Sequence, residues 1–412
     1  MIFLVQPNEL LGLQQIMRKG MTFPGIHGLK INFSCDQFYR LRMNEKVSLK
    51  ISPENIMRAE LEPFFHFELF PNLKTLHLRQ YKDLCSLDSF VVDRFKLLKN
   101  LEHLKLDITK KSQDTSSLLK GLQYLPLLRR FSLEIESMED SDWDLLQEFL
   151  KDQNQLETFS FDMKCGASTQ AGYLKQNSSL ANIIKGLETK PLLKSVKLRS
   201  AFWSLETLSK GFASFDKINQ LEILKIEVCD DIITSQEKSK KRVEGMCNFI
   251  ERQNASLKRL YISLNFVLDD QIMTDLAEAI SKLTELRELN VLVQPDNFMN
   301  LFDYFEKTLH HKLPSELQNR LPTPEKWNPN VAKCIGQLQN LEDFSITFIL
   351  WWRNPKQSFE CLLDVVKTLP YLDKLRKLSI RIHPQEWENL MQNISSAMLE
   401  LRNIKEICVP DQ

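Results

Sequence analysis

The chain has 412 residues, 43% hydrophobic and 26% charged, a balance that supplies apolar material for a large buried core and excludes a disordered polymer. That length exceeds what one compact core supports, so it calls for several ordinary domains or for a repeat architecture. Lysine plus arginine equals aspartate plus glutamate at 54 each, which excludes a global field that would draw the molecule onto nucleic acid or an anionic membrane.

At the N-terminus, Met1 to Val5 is apolar, but Gln6, Pro7, Asn8 and Glu9 interrupt the run before it reaches the length of a signal peptide or anchor. The expectation is an intracellular, cytoplasmic protein without membrane insertion. Organelle import stays open, because Glu9 is the one acid in a segment that also holds Arg18 and Lys19. The tripeptides at Asn32, Asn177, Asn254 and Asn393 are then incidental glycosylation matches. The eight cysteines are scattered, with no pair spaced to clamp zinc or to form a redox couple. Reduced, buried thiols are expected.

Residues 1–70 carry two weak traces of strand spacing, Ile26/Leu29/Ile31 and Lys46/Leu49/Ile51, the second with a lysine at its first position, and a helix start at Ser52-Pro53-Glu54. They are expected to form an N-terminal cap of degenerate repeats. From Leu73 the pattern becomes regular. A leucine is followed at the third and fifth positions by apolar residues, first in Leu73/Leu76/Leu78, Leu101/Leu104/Leu106, Leu128/Phe131/Leu133 and Leu156/Phe159/Phe161. It continues through Leu193/Val196/Leu198, Leu221/Leu224/Ile226, Leu257/Leu260/Ile262, Leu286/Leu289/Val291, Leu341/Phe344/Ile346, Leu375/Leu378/Ile380 and Ile404/Ile407/Val409. So loose a frame arises by accident, and the spacing therefore decides. Six of the ten intervals between successive starts are 27 to 29 residues, a step that chance matches would not keep.

Between these strand signals the apolar period changes from two to that of one helix face. Leu180, Ile183, Ile184 and Leu187 show it, as do Leu205, Leu208, Phe212 and Phe215. So do Leu276, Ala279, Ile280 and Leu283, and Leu362, Val365, Val366 and Leu369. Each unit is thus a short strand followed by an amphipathic helix, and neither element can cover its apolar face without a stacked neighbour. The segment Asp230 to Arg242, with Lys238, Lys240 and Lys241, is expected to be a solvated loop. A proline-containing insertion is expected at about 293–331, helical only at Phe298 to Leu309.

These residues resemble the leucine-rich repeat family, and the unit length with a full helix resembles its ribonuclease-inhibitor-like subclass. The resemblance covers about Leu73 to Val409. It implies an α/β fold: a leucine-rich repeat solenoid over 71–412, with a curved parallel sheet on the concave side and helices on the convex side. The turn asparagine or cysteine of the family is matched by Asn265 and Cys229, but Tyr81, Thr109, Glu136, Lys164 and Ala201 stand at the same place elsewhere.

No catalytic motif emerges. Gly25-Ile-His-Gly28 lacks the lysine and spacing of a phosphate loop. His310 and His311 are adjacent, so on a helix they point about 100° apart and cannot share a metal. The chain is expected to be no enzyme, to hold no cofactor or metal and to take no small-molecule substrate. Function then falls to side chains alternating with the buried strand positions. Lys197, Arg199, Lys225, Arg259 and Tyr261 form a mildly basic stripe there, and Trp351 and Trp352 form an aromatic anchor after the Phe344 strand. The expected role is a protein-interaction scaffold, a subunit or adaptor of a larger assembly. The resemblance keeps two alternatives open: a substrate adaptor of a ubiquitin ligase, since Pro7 to Leu11 faintly matches an F-box opening, and a GTPase activator. RNA binding, for which the basic stripe is the warrant, is the remaining alternative.

Overall fold

The computed structural model describes residues 2–5, 28–33, 71–80, 93–108, 115–136, 138–163, 180, 183–200, 205–213, 215, 218–228, 239–264, 270–293, 334–348, 369, 372–381 and 406–408. The chain divides into two units, Met1–Leu198 and Arg199–Gln412. In the first lie β1 (Ile2–Val5), β2 (Gly28–Phe33), β3 (Thr75–Gln80), β4 (His103–Ile108), β5 (Arg130–Ile135) and β6 (Thr158–Met163), and β7 (Ser195–Ser200) runs across the division at Leu198. In the second lie β8 (Ile223–Val228), β9 (Arg259–Leu264), β10 (Glu288–Val293), β11 (Asp343–Phe348), β12 (Lys377–Arg381) and β13 (Glu406–Cys408). Among the described residues, helices α1 (Thr115–Leu122) and α2 (Asp140–Asp152) lie in the first unit. Helices α3 (Leu205–Ala213), α4 (Ser239–Arg252) and α5 (Asp270–Ser281) lie in the second.

Each of the eleven frame leucines or isoleucines stands two residues before a strand, β3 to β13 in order. Sequence neighbours pair in parallel and in one register. Leu76 faces Leu104, which faces Phe131, which faces Phe159. In the second unit Leu224, Leu260, Leu289, Phe344, Leu378 and Ile407 form the same kind of row. This is the α/β leucine-rich repeat solenoid arrangement. β2 joins it with Leu29 opposite Leu76 and Ile31 opposite Leu78, so the first trace in residues 1–70 is a strand. β1 pairs with β2 from Ile2 to Val5, an element whose four residues are too few for alternation to reveal.

A backbone device repeats with the apolar row. The carbonyl of Lys74 accepts the N–H groups of Glu102 at 2.9 Å and His103 at 2.8 Å. The carbonyls of Glu102, Arg129 and Glu157 do the same for the following units, as do those of Glu222, Lys258, Arg287 and Glu342 in the second half. One acceptor with two lone pairs thereby holds both donors at the entry of the next strand, where a buried amide would otherwise be costly.

The helices cover one face of the sheet because their apolar stripes need a partner. Phe131 meets Phe149 of α2 edge-on with centroids 5.0 Å apart, and Trp143 of α2 lies 5.5 Å from Phe161. Phe212, Phe215 and Phe249 stack at 4.8 to 5.5 Å, so aromatic pairing adds to simple burial in both units. Ile183, Ile184, Leu187, Leu276, Ala279, Ile280 and Leu283 are all buried, as the stripe requires. The expected loop from Asp230 to Arg242 needs correction at its end, because α4 starts at Ser239 and takes in Lys240, Lys241 and Arg242, while Asp230 to Lys238 lie outside the described residues. The helix runs back that far because Val243, Met246, Cys247, Phe249 and Ile250 form a buried stripe, and the preceding basic residues are good helix formers. Cys247 and Cys334 are buried and form no disulfide among the described residues, and burial pushes the Cys247 thiol up to about 12.

Within each unit, polar side chains tie neighbouring repeats together. Gln253 is fully buried; its Oε1 accepts the Leu221 N–H at 3.1 Å and its Nε2 donates to the Ile218 carbonyl at 2.6 Å. Lys190, 1% exposed, donates from Nζ to the Lys151 carbonyl at 2.7 Å in the last turn of α2. Burial lowers its pKa, with Asp152 partly opposing, and the helix C-terminus favours its charge. Asp142 accepts the Glu139 N–H at 2.9 Å at the start of α2 and the Ser116 hydroxyl of α1.

α3 and α4 meet at Gly245, whose N–H donates to the Ser209 hydroxyl at 2.8 Å. A Cβ on Gly245 would lie 2.0 Å from the Ser209 carbonyl oxygen, a backbone atom that cannot rotate aside. Gly245→Ala is therefore expected to destabilise the second unit by about 1–3 kcal/mol through forced helix separation. Gly186→Ala, whose Cβ would meet Leu150 Cβ at 3.1 Å, should cost less. Urea unfolding midpoints of the two variants check the order; equal midpoints would contradict it.

Candidate functional site

The sheet face opposite the helices carries the side chains that alternate with the buried row. Parallel pairing in a fixed register sets equivalent positions of neighbouring strands side by side, so charges separated by about one repeat in sequence become cross-strand partners.

In the first unit this face holds a cluster around Asp107 of β4, 3% exposed despite its position on the polar side. His77 of β3 donates from Nε2 to Asp107 Oδ2 at 2.8 Å, and Lys105 Nζ stands 3.3 Å from Oδ1. Arg79 Nε is 3.9 Å away. Burial alone would raise the Asp107 pKa, but the His77 hydrogen bond and the Lys105 ammonium outweigh it and hold the carboxyl below its ordinary value. Thr75 Oγ1 and His103 Nδ1 are 3.2 Å apart at the starts of the same two strands, and burial together with Arg130 lowers the His103 pKa.

In the second unit Arg199 Nε lies 3.0 Å from Glu227 Oε1. Glu288 of β10 gathers two residues from β9: Arg259 Nε at 3.0 Å and the Tyr261 hydroxyl, which donates at 2.9 Å. Burial and the Glu288 carboxylate push the Tyr261 phenol up to about 12, so Tyr261 is a neutral donor at physiological pH. The structure thus joins Arg259 to Tyr261, and it neutralises both arginines of the expected basic stripe. Lys197 is exposed and Lys225 half-buried, and neither makes an ion pair among the described residues. Trp351 and Trp352 lie outside the described residues. β11 reaches Phe348, as alternation from Phe344 and Ile346 predicts.

Sequence reasoning did not reveal Asp107 and Glu288 as organising groups. Their signal is the register itself: Asp107 stands two positions beyond the middle of β4, next to Arg79, and Glu288 stands next to Arg259. A groove of about 390 Å³ lies at the starts of β9 to β12, running from Lys258 and Arg259 to Arg376 and Lys377. Its lining has five cations and three carboxylates, so it can hydrogen-bond a mixed polar surface and does not select one sign of charge. Among the described residues no group of three or more His, Cys, Asp or Glu is placed to hold a metal ion, and no helix is long and apolar enough to cross a membrane.

No family model matches the chain, and no curated protein matches it. Among solved structures it is similar to a Bacteroides fragilis protein at 13% identity and a TM-score of 0.30, over 69% of this chain and 75% of that one. It is also similar to TLR13, solved in complex with ssRNA13, at 13% identity and a TM-score of 0.24. That alignment spans 82% of this chain and 53% of the TLR13 chain.

The Asp107 cluster makes a prediction with a definite sign. A carboxyl whose folded pKa is lowered contributes stability above its unfolded pKa of about 3.9 and loses that contribution as pH falls through the folded value. Asp107→Asn is therefore expected to destabilise the chain by about 1–3 kcal/mol at neutral pH, with a gap that narrows on acidification below the ordinary carboxylate range. Denaturant titrations across pH measure the gap; one that stays constant into acid would show that charge at Asp107 contributes nothing.

Proposed function

We propose that the chain is a non-catalytic protein-interaction scaffold, acting as a subunit or adaptor of a larger assembly. The observation that carries this reading is the sheet face, where ion pairs and hydrogen bonds between adjacent strands hold polar side chains in set positions. A surface ordered before binding loses less conformational freedom when a partner docks, which is what a recognition face requires. Lys197, Arg199, Lys225, Arg259 and Tyr261 are the proposed contacts. The two lysines reach a partner as uncompensated charge, whereas the two arginines already serve glutamates of this chain. Trp351 and Trp352 are proposed as further anchors on their sequence alone, since tryptophan is enriched among residues that dominate binding energy.

The test is affinity capture of the tagged full chain from its native extract at low salt, followed by cross-linking of the recovered complex. A stoichiometric protein partner is expected, cross-linked to the sheet face. Lys225→Glu should weaken its binding by about tenfold without lowering the melting temperature, and more than Arg259→Ala does. Recovery of the chain alone, or of RNA that nuclease removes together with every protein, would overturn the reading.

A further inference from the structure

The described side chains include four large apolar groups that remain exposed, and all four belong to the first unit: Leu97 at 47%, Tyr124 at 36%, Leu127 at 37% and Leu192 at 46%. They occupy two positions of the repeat. Leu97 and Tyr124 stand four residues before their frame leucines, and Leu127 and Leu192 stand one residue before theirs. Among the described residues of the other units, the first position holds Asp152, Thr189, Gln253, Lys282 and Gln337. The second holds polar residues from Asn72 to Lys374. Stacking therefore does not require an apolar side chain at either place.

The turns bearing Leu97 and Tyr124 touch, because Lys96 Nζ lies 4.9 Å above the Tyr124 ring. Their surroundings are basic. The segments 93–102 and 120–130 contain six cations against two acids, Asp93 and Glu102. Both acids are engaged within the chain, Asp93 with Lys96 at 2.8 Å and Glu102 with Lys74 at 2.6 Å. Lys99 and Lys120 are exposed and make no ion pair among the described residues. In a chain of zero net charge, an apolar centre with an aromatic anchor and a rim of uncompensated lysines is a local feature, and it has the anatomy of a protein interface.

We infer that the turn surface formed by Leu97, Tyr124 and Leu127, with Lys99 and Lys120 beside it, docks an acidic amphipathic segment of a partner protein. Apolar side chains of the segment cover the leucines and the tyrosine, and its carboxylates reach the lysines. A protein segment fits better than an anionic lipid surface, because these side chains are more than half covered by their own turns and lack the protruding apolar face that enters a headgroup layer. The inference rests on the scaffold reading but places this contact on a different surface from the sheet face.

The test is selection of a random peptide display library on the immobilised full chain, with selected peptides synthesised and their affinities measured by fluorescence anisotropy. The expected peptides are acidic, with apolar residues at helical spacing. Their binding should weaken about tenfold in the double variant Leu97→Ser/Leu127→Ser and also in Lys99→Glu/Lys120→Glu. Melting should be unchanged in both, and Lys225→Glu should have no effect on these peptides. Enrichment of basic or uncharged peptides, or affinity unchanged in both double variants, would overturn the inference. So would peptides that respond only to Lys225→Glu, although that outcome would leave the sheet-face scaffold standing. Binding of the chain to phosphatidylcholine–phosphatidylserine vesicles through Lys99 and Leu97, with no acidic peptide enriched, would replace the partner segment by a membrane surface and likewise overturn it.

Discussion

A strand of six residues with two or three inward side chains cannot remain ordered in water by itself, and a helix of two or three turns has the same difficulty. Everything else in this protein depends on the way adjacent units relieve that difficulty for one another. The row Leu76, Leu104, Phe131 and Phe159 is buried with a neighbouring strand beside each member, and Phe149 of α2 packs against Phe131. A slip of one residue between two strands would turn the row outward. The shared carbonyls of Lys74, Glu102, Arg129 and Glu157 oppose such a slip, since each accepts from two successive donors in the next unit.

That fixed register is what gives the polar face its order. His77 and Asp107 are 30 residues apart, and Arg259 and Glu288 are 29, yet each pair is in hydrogen-bonding or ion-pairing range. Burying the carboxylate of Asp107 is tolerable only because it accepts the His77 hydrogen bond and has the Lys105 ammonium beside it. Charges on this face are thus largely used within the chain, although among the described residues Arg130, Lys197 and Lys225 are strand cations that make no ion pair.

Much of the fold was legible in the sequence because register and periodicity are the same signal. The frame residues Leu73 to Ile404 each precede a strand, and the stripe Leu276, Ala279, Ile280 and Leu283 lies on α5 and the turn after it. The candidate site was less legible. Lys197, Arg199, Lys225, Arg259 and Tyr261 do lie on strands, but composition along one strand says nothing of which neighbour neutralises which, so Glu227 and Glu288 went unnoticed as partners. The start of α4 was missed because basic residues at a helix terminus carry no apolar period. Gly245 and Leu97 were missed for a different reason: close helix approach and residual exposure are properties of two packed units, and no single stretch of chain contains them.

Repeats are stabilised by stacking and not individually, and Leu260→Asp measures this most directly. Leu260 is fully buried in β9 between Leu224 of β8 and Leu289 of β10, so the aspartate would be an unpaired charge inside the shared row. Hydrogen exchange followed by mass spectrometry in native buffer compares the variant with the parent chain, strand by strand. Stacking predicts that protection falls in β8 and β10 as well as in β9, and extends with decreasing severity to β11. Loss confined to β9, with β8 and β10 as protected as before, would mean that each unit stands by itself and would contradict the account.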